Sequence, residues 1–258
     1  MRQRLQHRWK RGRFVAFVVG VGAVLISTCL FFIARGAGPA LQTRSNPNTL
    51  KWSGLDWDVQ SGFSTPGPCH WSPGNVATDT QGNLHLKITR SGNKWYCSQI
   101  SSLNTVGYGT YTFNVKSDLR NFDPSVVLGM FTYDTTESNV GSSEVDIEIA
   151  KWSNPKDPND VEYSIYPIDA DPTHHGKRFP LGTPPYTAQF VWTKTHVAFS
   201  VKDATGNTHS FVGTNLPAPP AKPTKAFLNL WLFHDKAPVR GKPIEIVISS
   251  FHYTPSSG

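Results

Sequence analysis

Apolar side chains recur at every second position along most of this chain, and that period constrains the fold more than any other feature. Leu84, Leu86 and Ile88 alternate with His85 and Lys87, and Tyr111, Phe113 and Val115 with Thr112 and Asn114. Val197, Phe199 and Val201 keep the step up to the turn Asp203-Ala204-Thr205-Gly206-Asn207, after which Phe211 resumes it. Ile244, Ile246 and Ile248 close the series. A strand sends successive side chains to opposite faces, so each run predicts a strand with one apolar face. Many short strands divided by turn residues, with no convincing amphipathic helix, predict an all-β sandwich of two antiparallel sheets, a jelly roll.

The formal charge of +7 would suit a nucleic-acid partner, but its distribution does not. Arg2, Arg4, Arg8, Lys10, Arg11 and Arg13 precede any acid and leave +1 for the rest of the chain. No basic patch is needed to explain the balance, so no nucleic acid is expected. Residues 14–34, FVAFVVGVGAVLISTCLFFIA, carry no charge. At ~1.5 Å per residue a helix of that length crosses a ~30 Å hydrocarbon core. The basic cluster before it puts the N-terminus in the cytoplasm and the rest outside. The expected organisation is a basic cytoplasmic tail (1–13), a transmembrane signal anchor (14–34), a Pro/Gly-punctuated linker (35–50) and one domain (51–258). Cleaved signals usually carry a shorter apolar region. The small residues Gly36 and Ala37 leave cleavage, and so secretion, open. Either way the domain is expected outside the cytoplasm, periplasmic or on the cell surface. There Cys69 and Cys97 are expected to pair as a disulfide, with two buried thiols as the alternative. No His/Cys ligand spacing accompanies them.

One run stands apart from the rest. In Ser143-Glu-Val-Asp-Ile-Glu-Ile149 the alternation is reversed in sense, with Glu144, Asp146 and Glu148 on one face and Val145, Ile147 and Ile149 on the other. Aligned like charges destabilise a strand, and strands are poor in Asp and Glu. Glycoside hydrolysis uses two carboxyl groups, at ~5–5.5 Å for retention or ~6.5–9.5 Å for inversion. In a flat strand the Cα atoms of Glu144 and Glu148 stand about 13 Å apart, so that chemistry requires a curved strand. Closely set acids push their proton affinities apart, which gives similar groups opposite tasks, and Asp146 can hydrogen-bond the nucleophile. A solvated acidic face and an oxygen-ligand calcium site are the alternatives.

Glu144-Val-Asp-Ile-Glu148 is similar to the Glu-x-Asp-x-Glu signature of glycoside hydrolase family 16, and the resemblance runs from about residue 66 to the C-terminus. It looks most like the bacterial lichenases, endo-β-1,3-1,4-glucanases. Cys69-His-Trp71, Gly74-Asn75-Val76 and Gly82-Asn83-Leu84-His85-Leu86 resemble their early strands, and Cys97 falls where their second disulfide cysteine lies. Gly107-Tyr108-Gly109-Thr110-Tyr111, Phe131-Thr132-Tyr133 and Asn229-Leu230-Trp231 match later elements. The resemblance implies a concanavalin-like jelly roll and a retaining mechanism. Glu144 would be the nucleophile, Asp146 its helper and Glu148 the acid/base.

The residues around the acids agree. Phe131 and Tyr133 share a face, as do Asn229, Trp231 and Phe233, opposite Leu228, Leu230 and Leu232. Leucines suit a core, whereas aromatic rings and amides suit the apolar faces and hydroxyls of sugars. Tyr133, Trp231, Phe131 and Asn229 are therefore expected substrate contacts, and the resemblance implies Gln99 and Tyr166 as well, while Trp71 and Trp192 read as structural. Departures bear on the substrate. Gln99 and Ser101 stand where lichenases carry Glu and Arg, and Ser142-Ser143 where they carry Trp-Asp. Glu162 and Ser164 stand where they carry Gln and Asn, and a free acid at Glu162 could repel anionic polysaccharides. The expected activity is a retaining, endo-acting hydrolysis of a β-linked polysaccharide, with a β-glucan the first candidate. A transglycosylase and a silent, lectin-like binding domain are the alternatives. No cofactor is required; a calcium ion could stabilise the convex face, although no calcium-loop spacing is visible.

Overall fold

The computed structural model describes residues 38–67, 69–135, 143–166, 175–214, 216 and 224–257, with backbone alone at 175 and 176. The expected membrane anchor at 14–34 and most of the Pro-rich connection at 216–224 lie outside these residues. Among the described residues, no helix is long and apolar enough to cross a membrane.

Among the described residues eighteen strands follow in order. The first seven are β1 (Thr49–Trp52), β2 (Leu55–Val59), β3 (Gly62–Ser64), β4 (Cys69–Trp71), β5 (Val76–Thr78), β6 (Leu84–Ser91) and β7 (Lys94–Tyr96). Next come β8 (Ser98–Ser102), β9 (Gly109–Val115), β10 (Val126–Asp134), β11 (Val145–Ala150), β12 (Val161–Ile165) and β13 (His175–Phe179). The last are β14 (Tyr186–Trp192), β15 (Val197–Lys202), β16 (Thr208–Gly213), β17 (Thr224–Leu232) and β18 (Ile244–Pro255).

One antiparallel sheet runs β1-β2-β8-β17-β10-β11-β12-β13. The other runs β16-β15-β14-β9-β18-β6-β5, with β7 paired to β6. The short hairpin β3-β4 stands apart from both. The period-2 runs supply the core as expected. Leu84, Leu86, Ile88, Tyr111, Phe113, Val197, Leu228, Leu230 and Leu232 are all fully buried. Each such side chain contributes about 1.5–3 kcal/mol on leaving water. Trp71 and Trp192 are buried as well, in keeping with a structural part.

Three details differ from the expectation. The stretch assigned to a linker is partly joined to the sandwich, since the compact unit begins at Gly38 and Thr49 and Leu50 pair with β2. The Gln42 amide donates to the Thr78 carbonyl and the Thr80 amide to the Ala40 carbonyl, because an extended polar backbone needs partners and the edge of the sandwich offers them. In β18 a register shift between Ile248 and Ser250 passes the core from even to odd positions, and Phe251 continues what Ile246 and Ile248 began. Finally, β11 begins at Val145, one residue after Glu144.

Candidate active site

The alternation along β11 settles where its acids go. Val145, Ile147 and Ile149 are buried in the core, which turns Asp146 and Glu148 to the other face of the sheet. Glu144 precedes the strand but stays in line, because its carbonyl accepts the Tyr166 amide at 3.0 Å. All three carboxyl groups line one cleft of about 520 Å³. Its walls come also from β8, β10 and β17 and from Tyr166 just after β12, so the cleft is a hollow across the sheet face.

Cross-strand pairing arranges these walls in rows. At Glu148 the row reads Gln99, Asn229, Gly129, Glu148, Glu162 and Arg178, on six successive strands. At Asp146 it reads Ser101, Phe227, Phe131, Asp146 and Ser164. Gly129 carries no side chain, and a β-carbon there would stand 2.4 Å from Asn229 Oδ1. The Asn229 carboxamide takes the space a side chain there would fill.

All six expected contact residues line the cleft: Tyr133, Trp231, Phe131, Asn229, Gln99 and Tyr166. Asn229 is fully buried and already engaged. Its Oδ1 accepts the Gly129 amide at 3.2 Å and its Nδ2 donates to Gln99 Oε1 at 3.1 Å. Its carboxamide therefore orients Gln99, whose own amide nitrogen is left for the cleft. Phe131 stacks on Phe227 with ring centres 5.0 Å apart, and Tyr133 meets Phe227 edge-on at 6.1 Å.

Sequence reasoning passed over Trp152 and Phe227, and named Phe233 only for its face. Phe227 was legible by alternation, two residues before Asn229. Trp152 was not, because it follows β11 in a left-handed conformation at φ 49° that no periodicity announces. Its ring meets Phe233 edge-on at 5.0 Å and Trp231 at 6.4 Å. Aromatic surface thus gathers beside Glu144 and Asp146 and again beyond Glu148.

Glu162, the acid that departs from the lichenase pattern, is engaged by its neighbours. It is bonded to the Arg178 guanidinium and accepts the Trp152 indole N–H at 2.8 Å. Arg178 also reaches Asp157 at 2.9 Å and the Ala150 carbonyl at 3.2 Å.

Electrostatics separates the three cleft acids. Glu144 keeps some surface on the cleft but is otherwise enclosed, and burial pushes its proton affinity up to about 7. Glu148 is pushed up to about 8, by burial first and then by the charges of Glu162 and Glu144, with Arg178 opposing. Asp146 is fully enclosed and raised well above the carboxyl range by burial, then by Glu144 and Glu148. Burial and mutual repulsion thus raise all three, so the cluster does not carry three charges at once, and an ionised carboxylate stands beside a proton-bearing one. A carboxylate with a proton-bearing neighbour on the same strand, between aromatic walls, is the equipment for splitting a glycosidic bond.

The β3-β4 hairpin closes one side, with Thr65 and Pro66 on the cleft. Cys69 and Cys97 are joined as a disulfide, tying β4 to the start of β8. Gly67, at φ +65°, lies so close to Trp231 that a β-carbon would fall 2.4 Å from its ring. Among the described residues, no cluster of three or more His, Cys, Asp or Glu could hold a metal ion.

Fold and site together define a carbohydrate-cleaving β-sandwich. Residues 63–245 match the family described as Glycosyl hydrolases family 16, and the chain belongs to that family. The beta-glucanase of Bacillus licheniformis is 27% identical over 234 residues, 88% of each chain. That of Paenibacillus macerans is 28% identical over 182 residues, 68% of this chain and 70% of its own. Among solved structures, the Bacillus licheniformis beta-glucanase has a TM-score of 0.60 at 23% identity, covering 85% of this chain and 100% of that one. A laminarinase from Flavobacterium sp. UMI-01 has a TM-score of 0.60 at 17% identity, covering 76% and 92%. At such identities the structural likeness is one of fold.

Proposed function

We propose that this protein is a retaining, endo-acting hydrolase of a β-linked polysaccharide, a β-glucan first among candidates. It works outside the cytoplasm, from the anchor read at residues 14–34. One observation carries the catalytic reading: Glu144, Asp146 and Glu148 line a single cleft, where burial raises the proton affinity of all three. The beta-glucanases of Bacillus and Paenibacillus support the substrate class.

The Glu144 carboxylate attacks the anomeric carbon while Glu148 gives its proton to the departing glycosidic oxygen. The C–O bond of the chain breaks and an ester to Glu144 forms. Water then attacks the same carbon, Glu148 takes its proton, and Glu144 leaves as a carboxylate with the anomeric configuration kept. The proton on Asp146 can be shared with Glu144, steadying the charge as the ester breaks. With a sugar hydroxyl in place of water the same intermediate gives transglycosylation, which product analysis with added acceptor distinguishes.

The test is reducing-end release from a panel of β-glucans, with the first-formed anomer read by proton NMR. Retention in the native protein and loss of turnover in folded Glu144→Gln are expected. An inverted first product, or undiminished turnover in that variant, would sink the assignment. Membrane tethering is tested separately, by whether the full chain sediments with membranes and resists extraction by salt.

A further inference from the structure

Glu162 is the point at which the acid strand and the aromatic wall meet. It stands directly across from Glu148 on β12 and directly across from Arg178 on β13. Its Oε2 takes both the Arg178 guanidinium and the Trp152 indole N–H. Trp152 needs such an anchor, because its backbone and that of Ser153 are both left-handed, at φ 49° and 61°. That anchor turns the ring toward Trp231 and Phe233.

We propose that Glu162 is a positioning residue with two separable actions: its charge faces Glu148 across the sheet, and its Oε2 anchors Trp152 as a wall of the cleft. The inference rests on the reading of Glu148 as acid/base and adds to it a residue that touches neither reacting atom. Arg178 completes the device by holding Glu162 in place while its second nitrogen grips Asp157 and the Ala150 carbonyl.

The surroundings of Glu148 make the charge effect readable. Asp146 faces it from its own strand and Glu144 from the residue before that strand, Glu162 and Tyr166 from β12 and the residue after it, and Arg178 from β13. On the other side β10 offers only Gly129, and β17 the neutral Asn229. The affinity of Glu148 for its proton is raised by Glu162 and lowered by Arg178, in agreement with this geometry.

The two actions separate by substitution. Glu162→Gln removes the charge and keeps a carbonyl oxygen able to accept from Trp152. Trp152→Phe keeps the charge and removes the indole N–H. The readout is a carboxyl carbon-13 NMR titration of the full-length, detergent-solubilised protein, with Glu148→Gln assigning the Glu148 signal. KM and kcat on a β-glucan are measured alongside.

In Glu162→Gln the Glu148 midpoint is expected to fall by about one pH unit, as removal of a close like charge requires. The alkaline limb of kcat/KM should fall with it, at little change in KM. In Trp152→Phe the midpoint is expected to hold while KM rises about fivefold, the cost of a loosened aromatic face. An unmoved or raised Glu148 midpoint in Glu162→Gln overturns the first action, and an unmoved KM in Trp152→Phe the second. Absence of turnover on every glucan in the native protein would count against the proposed function instead, and the NMR titration would still decide the charge effect.

Discussion

Gly129 and Asn229 occupy one row of the sheet so tightly that a single β-carbon on the glycine would stand 2.4 Å from the amide oxygen. The Gly129 amide itself donates to that oxygen at 3.2 Å. The missing side chain is thus part of the site: it seats the Asn229 carboxamide in the row that holds Glu148.

Gly129→Ala should therefore displace Asn229 and, through it, Gln99. We expect kcat/KM to fall at least tenfold, with an overpacking cost of about 1–3 kcal/mol in stability. Thermal melting and steady-state kinetics on one β-glucan check both. Near-native kinetics would remove this row from the substrate site.

Stability should fall across neutral pH. Glu144 and Glu148 are raised from 4.5 to about 7 and about 8, so the folded state holds protons that the unfolded chain releases. Their contribution is complete below about pH 4.5 and is lost as pH rises through about 7 and then 8. Melting temperature should decline between pH 5 and pH 8.5, and less steeply in Glu148→Gln. A rising curve over that window would contradict the buried acids.

The same two groups set the activity profile. Glu144 must be ionised and Glu148 protonated, so kcat/KM should be bell-shaped, climbing near pH 7 and falling near pH 8. The limbs belong to the interacting pair and not to either residue alone. Glu148→Gln should remove the falling limb along with most of the activity.

Burial and the charges of Glu144 and Glu148 favour the protonated form of Asp146, which an amide imitates. Asp146→Asn should retain activity within about a hundredfold, whereas Glu144→Gln should lose a thousandfold or more, about the range for a positioned donor against a missing nucleophile. Equal losses in the two would mean that Asp146 acts as a charged group.

Reduction of the Cys69–Cys97 bond should loosen the wall carrying Thr65 and Pro66. The cross-link spans 28 residues, and chain-entropy arguments put its contribution at roughly 3–4 kcal/mol. Denaturant midpoints with and without reductant give the stability term. KM should rise on reduction even where the fold persists, since Gly67 and the hairpin close on Trp231.

The sequence by itself determined the strands, their inward faces and the three acids, because side-chain direction in a strand is a local matter with period two. It marked Phe131, Tyr133, Asn229 and Trp231 for the same reason, and Gln99 by resemblance to a family position. Tertiary structure decided what no local period encodes: that Gly129 makes room for Asn229, that Trp152 turns back in a left-handed bend, and that Arg178 crosses to Glu162. It also decided the proton affinities, since burial and neighbouring charge exist only after distant strands are brought side by side.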